Sequence, residues 1–229
     1  MIQFLAAMPL FHQLCSLVWE PVRFFERYRC TRPKWGAGAV APCICASLYL
    51  GYGLVMTTHL EPLVLAALRD TGVPQFLLSS TMYGGAVAGA FAFPLLWLAA
   101  AGFLVSVDVL FVDRGSPVKQ LELAGRAFVS QLPSLVILLF AALFFDSQLL
   151  RDVNLAEPDS ASRLRARFTA MPLFATATVL TQVSQAWLCV LLAMSYQSIA
   201  HISHRATVAL AVLLYGVFFL TALIFLRDG

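Results

Sequence analysis

The placement of charge constrains this chain more than any other feature. Beyond the first nineteen residues, themselves uncharged, five long stretches carry no Asp, Glu, Lys or Arg: Trp35 to Leu60, Thr71 to Val107, Ala127 to Phe145, Phe168 to His204 and Ala206 to Leu226. A helix needs about 20 consecutive apolar residues to cross the hydrocarbon core of a bilayer, and each stretch approaches or exceeds that length. Residues of the AVILMFWYC set make up 60% of the 229 positions and charged residues only 12%. A soluble domain of this size must clothe its exterior in polar groups and cannot absorb so much apolar side chain. The same composition excludes disorder, a coiled coil and a small disulfide-stapled secreted domain. Backbone groups in lipid must be satisfied within their own segment, and no alternating barrel pattern is present, so the spans are helices.

The two longest uncharged stretches each hold one helix plus a turn, at Gly84-Gly85 and over Ser195 to His204. The expected fold is therefore all-α and polytopic, with five transmembrane helices near 35–56, 83–106, 129–148, 169–194 and 206–226. An amphipathic and basic cytoplasmic segment, 1–34, precedes a five-helix domain, 35–229. Five cations, Arg23, Arg27, Arg29, Arg32 and Lys34, stand ahead of the first span. With that end inside, nine of the 15 Lys and Arg fall on the cytoplasmic side. The excess of Lys and Arg marks the cytoplasmic side, and the first cluster usually dominates. The N-terminus is placed in and the C-terminus out, against the pull of Arg163, Arg165 and Arg167.

Met1 to Trp19 lacks the basic start and the cleavage site of a signal peptide. Gln13, Ser16, Glu20, Arg23 and Arg27 form one stripe, with Phe11, Cys15, Val18, Val22 and Phe25 opposite. That pattern suits an interfacial helix on the inner leaflet, with a sixth, buried helix as the alternative. Glu61-Pro62 and Arg69 to Gly72 read as the start and stop of a second, outer amphipathic helix. Pro94 predicts a bend in the second span.

No catalytic constellation is visible. His201 and His204 lack a nearby carboxylate or thiolate and read as a polar turn rather than a metal site. Cys43 and Cys45 point to nearly opposite sides of a helix and cannot share a metal. The other cysteines, Cys15, Cys30 and Cys189, suggest no disulfide framework. Asp108, Asp113, Glu122 and Asp146 lie near expected interfaces, where a carboxylate stays hydrated. The outer loop Asp146 to Arg167 reads as a solvated connector. No cofactor or metal is expected, and no nucleic-acid partner.

The fourth span is the most polar, with Thr178, Gln182, Gln185 and Cys189 on one stripe. Amides within a span face protein or water rather than lipid. They serve interhelical hydrogen bonds, a polar path or a partner helix. Thr81, Gly85 and Gly89 on the second span form a small-residue stripe that admits close helix approach. Arg23, Arg27, Arg29, Arg32 and Lys34, set among Trp19, Phe24, Phe25, Tyr28 and Trp35, suit anionic lipid headgroups. They suit a plain topology signal equally well.

Several segments together resemble the Yip domain family (Ypt/Rab-interacting membrane proteins and their bacterial relatives). They are Leu17 to Glu26, then Arg32-Pro33-Lys34-Trp35, then Val109 to Leu121 followed by Gly125 to Pro133, and finally Ser198 to Ala206. The resemblance covers about residues 10–226. It implies five helices, a cytoplasmic N-terminus and no enzymatic activity. Eukaryotic members act in Golgi and endoplasmic-reticulum trafficking, and some bacterial relatives are encoded beside export ABC transporters. This chain lacks the long cytosolic tail and the acidic Leu-Tyr-Gly-Pro motif of eukaryotic members, which favours a bacterial inner-membrane protein. The expected function is a non-enzymatic scaffold, accessory subunit or membrane organiser, in contact with lipids and with another membrane protein or itself. The alternative is a small transport or channel subunit lined by the polar residues of the fourth span.

Overall fold

A computed structural model describes residues 15–17, 19–29, 32, 35–69, 72–111, 116–150 and 160–227, the last ten by their backbone alone. Every regular element among them is helical. They are α1 (Pro21–Arg29), α2 (Trp35–Ala67), α3 (Gln75–Phe111), α4 (Pro117–Ala127), α5 (Leu132–Leu143), α6 (Ser160–Ala170), α7 (Pro172–Ala200) and α8 (His204–Arg227). Short 3-10 turns cover Phe128–Gln131 and Ser147–Leu150. Four helical stretches are long and apolar enough to cross a membrane: Gly36–Ala67, Gln75–Leu110, Pro117–Leu143 and Pro172–Ala200. Phe11, Gln13, Val18, Cys30, Lys34, Asp70, Asp113 and Arg114 lie outside the described residues.

Several boundaries differ from the expected ones, for different physical reasons. The expected outer helix at Glu61-Pro62 is not separate, since α2 continues through it to Ala67. Glu61 accepts hydrogen bonds from Ser79 Oγ at 2.5 Å and Tyr83 Oη at 3.1 Å, both on α3, so its charge is met without leaving the helix. The second span begins at Gln75, not near 83. Its hydroxyl residues do not break it, because Ser80 and Thr81 donate back to the carbonyls of Phe76 and Leu77. The third span begins at Pro117 rather than near 129, with Pro at the first helical position where its missing N–H is harmless. The 3-10 turn at Phe128–Gln131 joins its two halves. Pro133 cannot donate to the carbonyl of Val129, which tightens the chain there. The fourth span shifts to Pro172–Ala200, and α3 runs through Pro94 as continuous helix.

The chain divides into two compact units, with α2, α3 and α7 contributing to both. One unit comprises 44–93 and 132–182. Its core is Met56, Ala141, Ala142, Phe145, Leu150 and Phe174. Phe145 stacks on Phe168 at 5.5 Å and meets Phe174 edge-on at 5.9 Å. The segment expected to be a solvated connector contains α6. Leu164 and Phe168 of α6 pack against this core, while Arg163, Arg165 and Arg167 are exposed. This amphipathic use of three arginines keeps their charges wet while their helix buries its other side.

The other unit comprises 1–43, 94–131 and 183–229. Its described core includes Leu17, Phe24 and Phe25, Trp97 and Leu104, Leu123 and Phe128, and Leu191 and Leu192. The apolar side of α1 is therefore turned into protein. Phe24 packs edge-on against Phe25 at 5.3 Å and lies 4.9 Å from the Tyr28 ring, whereas Val22 is exposed.

Candidate functional site

The concentration of buried polar groups is in the second of these units, on α4. Lys119, Glu122 and Arg126 sit three and four residues apart, hence on one helical face. Their side chains are 5%, 2% and 11% exposed. Glu122 uses both carboxylate oxygens. Oε2 accepts from Lys119 Nζ at 3.0 Å, and Oε1 accepts from Arg126 Nη2 at 3.0 Å and Nε at 3.3 Å. The sequence places these charges in a hydrated loop, yet they are inside the protein, because one carboxylate between two cations offsets much of the cost of leaving water. The Arg126 guanidinium also lies 3.9 Å over the ring of Tyr28, tying α1 to α4.

Neighbouring elements reach the same helix. The Trp97 indole of α3 donates to the Leu121 carbonyl at 2.9 Å. The N-terminal end of α2 meets α4 backbone to backbone. A Cβ at Gly38 would come within 2.7 Å of Glu122 Cα, and one at Gly125 would strike the Gly38 carbonyl oxygen. Gln131 Nε2 donates to the Ser184 carbonyl of α7 at 2.8 Å. Asp108 is buried in this unit as well. The Gln120 amide and the Tyr196 hydroxyl are buried without a hydrogen-bond partner among the described residues.

Chemically this hub is saturated where it is charged. Both oxygens of Glu122 are engaged by cations, Oε2 by Lys119 and Oε1 by Arg126. Among the described residues, no three His, Cys, Asp or Glu side chains gather as a metal site. Among the described residues, Cys15, Cys43, Cys45 and Cys189 form no disulfide.

The residues singled out from sequence are dispersed. On α7, Thr178 is exposed and its hydroxyl donates to the Phe174 carbonyl at 2.8 Å. Gln182 and Gln185 are exposed and form no hydrogen bond among the described residues, whereas Cys189 is buried. On α3 the small-residue stripe splits. Gly89 packs against the Tyr49 ring of α2, Gly85 faces open space, and Thr81 is exposed. The close α2–α3 contact instead pairs Gly53 with Ala86.

Of the basic cluster, Arg23 pairs with Glu20 at 3.1 Å on the surface, and Arg27 and Arg32 are exposed. Arg29 alone reaches α7. Its Nη1 donates to the Ser198 carbonyl at 3.3 Å and lies 3.2 Å from Nε2 of His201. Sequence reasoning missed Gln120, Gln131, Gly38 and Gly125. The signal that could have found the hub was Lys119, Glu122 and Arg126 at helical spacing just after a Ser-Pro helix start. No family model, curated protein or solved structure matches the chain.

Proposed function

We propose that this chain is a non-enzymatic integral membrane protein of the Yip-like type, a scaffold or accessory subunit working by contact with another membrane protein and with lipid. In this reading it has five spans and lies in a bacterial inner membrane, with the N-terminus cytoplasmic and the C-terminus periplasmic. The supporting observation is the exposure of Gln182 and Gln185 in the middle of α7, a helix apolar enough to span a membrane. An amide left facing hydrocarbon is costly, and interhelical hydrogen bonds are its usual remedy. None of the described residues supplies those bonds, so a second helix is the natural source. Two further features support the reading. The helix His204–Arg227, at 24 residues, is long enough for a fifth span. The saturated ion hub favours a structural use of charge over a chemical one. The channel alternative needs several copies arranged around these amides, since they do not line the interior of a single chain.

Purification in mild detergent tests this. The wild type is expected to carry a stoichiometric second membrane protein, or a second copy of itself. The double variant Gln182→Leu/Gln185→Leu should lose that companion while its thermal unfolding temperature stays within a few degrees. A wild type recovered repeatedly as a lone monomer overturns the proposal. So does solute flux in proteoliposomes that the same double variant abolishes.

A further inference from the structure

In the unit that holds α4, a cavity of about 320 Å³ opens between α1 and the α7–α8 turn, with Glu26, Arg29, Gln197, Ser198, His201 and His204 among its walls. A second hollow of about 390 Å³ adjoins it, walled by α7 from Ala186 to Met194 and by α8 from His204 to Tyr215. Met194 and His204 line both. The first has a mixed lining, its charged and polar groups set beside Val22, Met194 and Ile202, and the second is almost wholly apolar, as Val190, Val208, Ala211 and Val212 show. From His204 to Tyr215 the groove runs about 16 Å at 1.5 Å per residue. That is half of the roughly 30 Å hydrocarbon core, the depth of one leaflet.

The charges lining the cavity are arranged as two separate poles. Glu26 and Arg29 are three residues apart on α1, a spacing at which opposite charges commonly pair. They form no ion pair with each other. Arg29 turns instead to Ser198 and His201, and Glu26 makes no ion pair among the described residues. The turn that presents the imidazoles is held in an uncommon conformation. His201 has φ +53°, in the left-handed region, with its N–H donating to the Gln197 carbonyl at 3.0 Å. A non-glycine residue is disfavoured there, and such conformations cluster at ligand clamps.

We infer that this pair of hollows is a site for one phospholipid with an ammonium-bearing headgroup. The phosphate lies against Arg29 and the imidazoles, the ammonium against Glu26, and one acyl chain in the α7–α8 groove. A cavity holding a guanidinium and an unpaired carboxylate complements a zwitterion better than a simple anion. The apolar groove sharing its wall selects a molecule with a hydrocarbon tail over a free phosphoester. The inference rests on the chain spanning a membrane, and is independent of the partner contact at Gln182 and Gln185.

Native mass spectrometry of the full chain, released from nanodiscs of defined composition, tests it. Phosphatidylethanolamine, phosphatidylglycerol and phosphatidylcholine would be offered in competition. The wild type should retain one phosphatidylethanolamine per chain in preference to the other two. Arg29→Gln should weaken retention about tenfold, by removing a charge-assisted hydrogen bond. Glu26→Gln should erase the preference for phosphatidylethanolamine over phosphatidylglycerol while leaving total retention similar. Val208→Trp, which fills the groove without touching the charged walls, should block retention, and keeps the test open if Arg29→Gln misfolds. Arg165→Gln, at an exposed residue outside the walls of either hollow, should change nothing. Gln182→Leu/Gln185→Leu should also leave lipid retention intact, which separates failure here from failure of the partner proposal. Equal retention by wild type and Val208→Trp overturns the inference. So does tight binding of glycerophosphoethanolamine without acyl chains. A second copy of the chain displaced by Val208→Trp, with no lipid retained, overturns it too.

Discussion

Glu122 and Gln120, two positions apart on α4, are both almost fully buried and have opposite energetic roles. Glu122 stands between Lys119 and Arg126, so Glu122→Gln leaves two buried cations without their counter-charge. Breaking a buried pair from one side typically destabilises by about 3–5 kcal/mol, and a large drop in thermal unfolding temperature in detergent is expected. Gln120 has no partner for either amide atom among the described residues. An unmet buried group costs about 1–3 kcal/mol, so Gln120→Leu should leave the protein as stable or raise its unfolding temperature. Equal destabilisation by both variants would show that the Gln120 amide is bonded after all. At this scale the sequence was informative about type and silent about partners. The spacing of Lys119, Glu122 and Arg126 would put them on one face of a helix, but from sequence the segment reads as a hydrated loop. The sequence could not show that the face is buried against Tyr28, because that contact joins residues far apart in the chain.

At the scale of elements, glycine decides where helices touch. Gly38 of α2 and Gly125 of α4 meet so closely that neither has room for a Cβ. Gly125→Ala must push the two backbones apart, with an expected loss of about 3 kcal/mol or more, measured as thermal unfolding of the purified protein. Gly85, in the stripe expected to admit a helix, has nothing within 4 Å of a Cβ. Gly85→Ala should leave stability unchanged or raise it by up to about 1 kcal/mol, the helix-propensity gain. If Gly85→Ala instead dissociates a companion protein without lowering stability, the open face of α3 is part of the contact. The small-residue pattern was legible in the sequence, yet its contacts were not. Gly85 and Gly89 read alike, and only the position of Tyr49 separates them. The helical identity of α4 and α6 was missed for a different reason. Charge was taken as a sign of loop, whereas these helices neutralise or expose it by face.

For the whole molecule, the number of crossings decides which sides of the membrane the two termini occupy. Five spans place the two termini on opposite sides. A cytoplasm-only fluorescent reporter at the N-terminus should fluoresce, and alkaline phosphatase fused after Arg227 should be active in the periplasm. Phosphatase that is inactive while its fusion is stably made would mean an even number of crossings, either four without α8 or six with a span over Met1 to Trp19. That the chain carries helices long and apolar enough to cross a membrane was legible in the sequence alone, because hydrophobicity over about 20 residues is a local property. Tertiary structure alone decided which polar groups are buried and which face outward. Glu61 meets α3, Glu122 is enclosed, and Gln182 and Gln185 remain on the surface. The reason is physical: helical periodicity sets which residues share a face, but burial depends on what another part of the chain brings to that face.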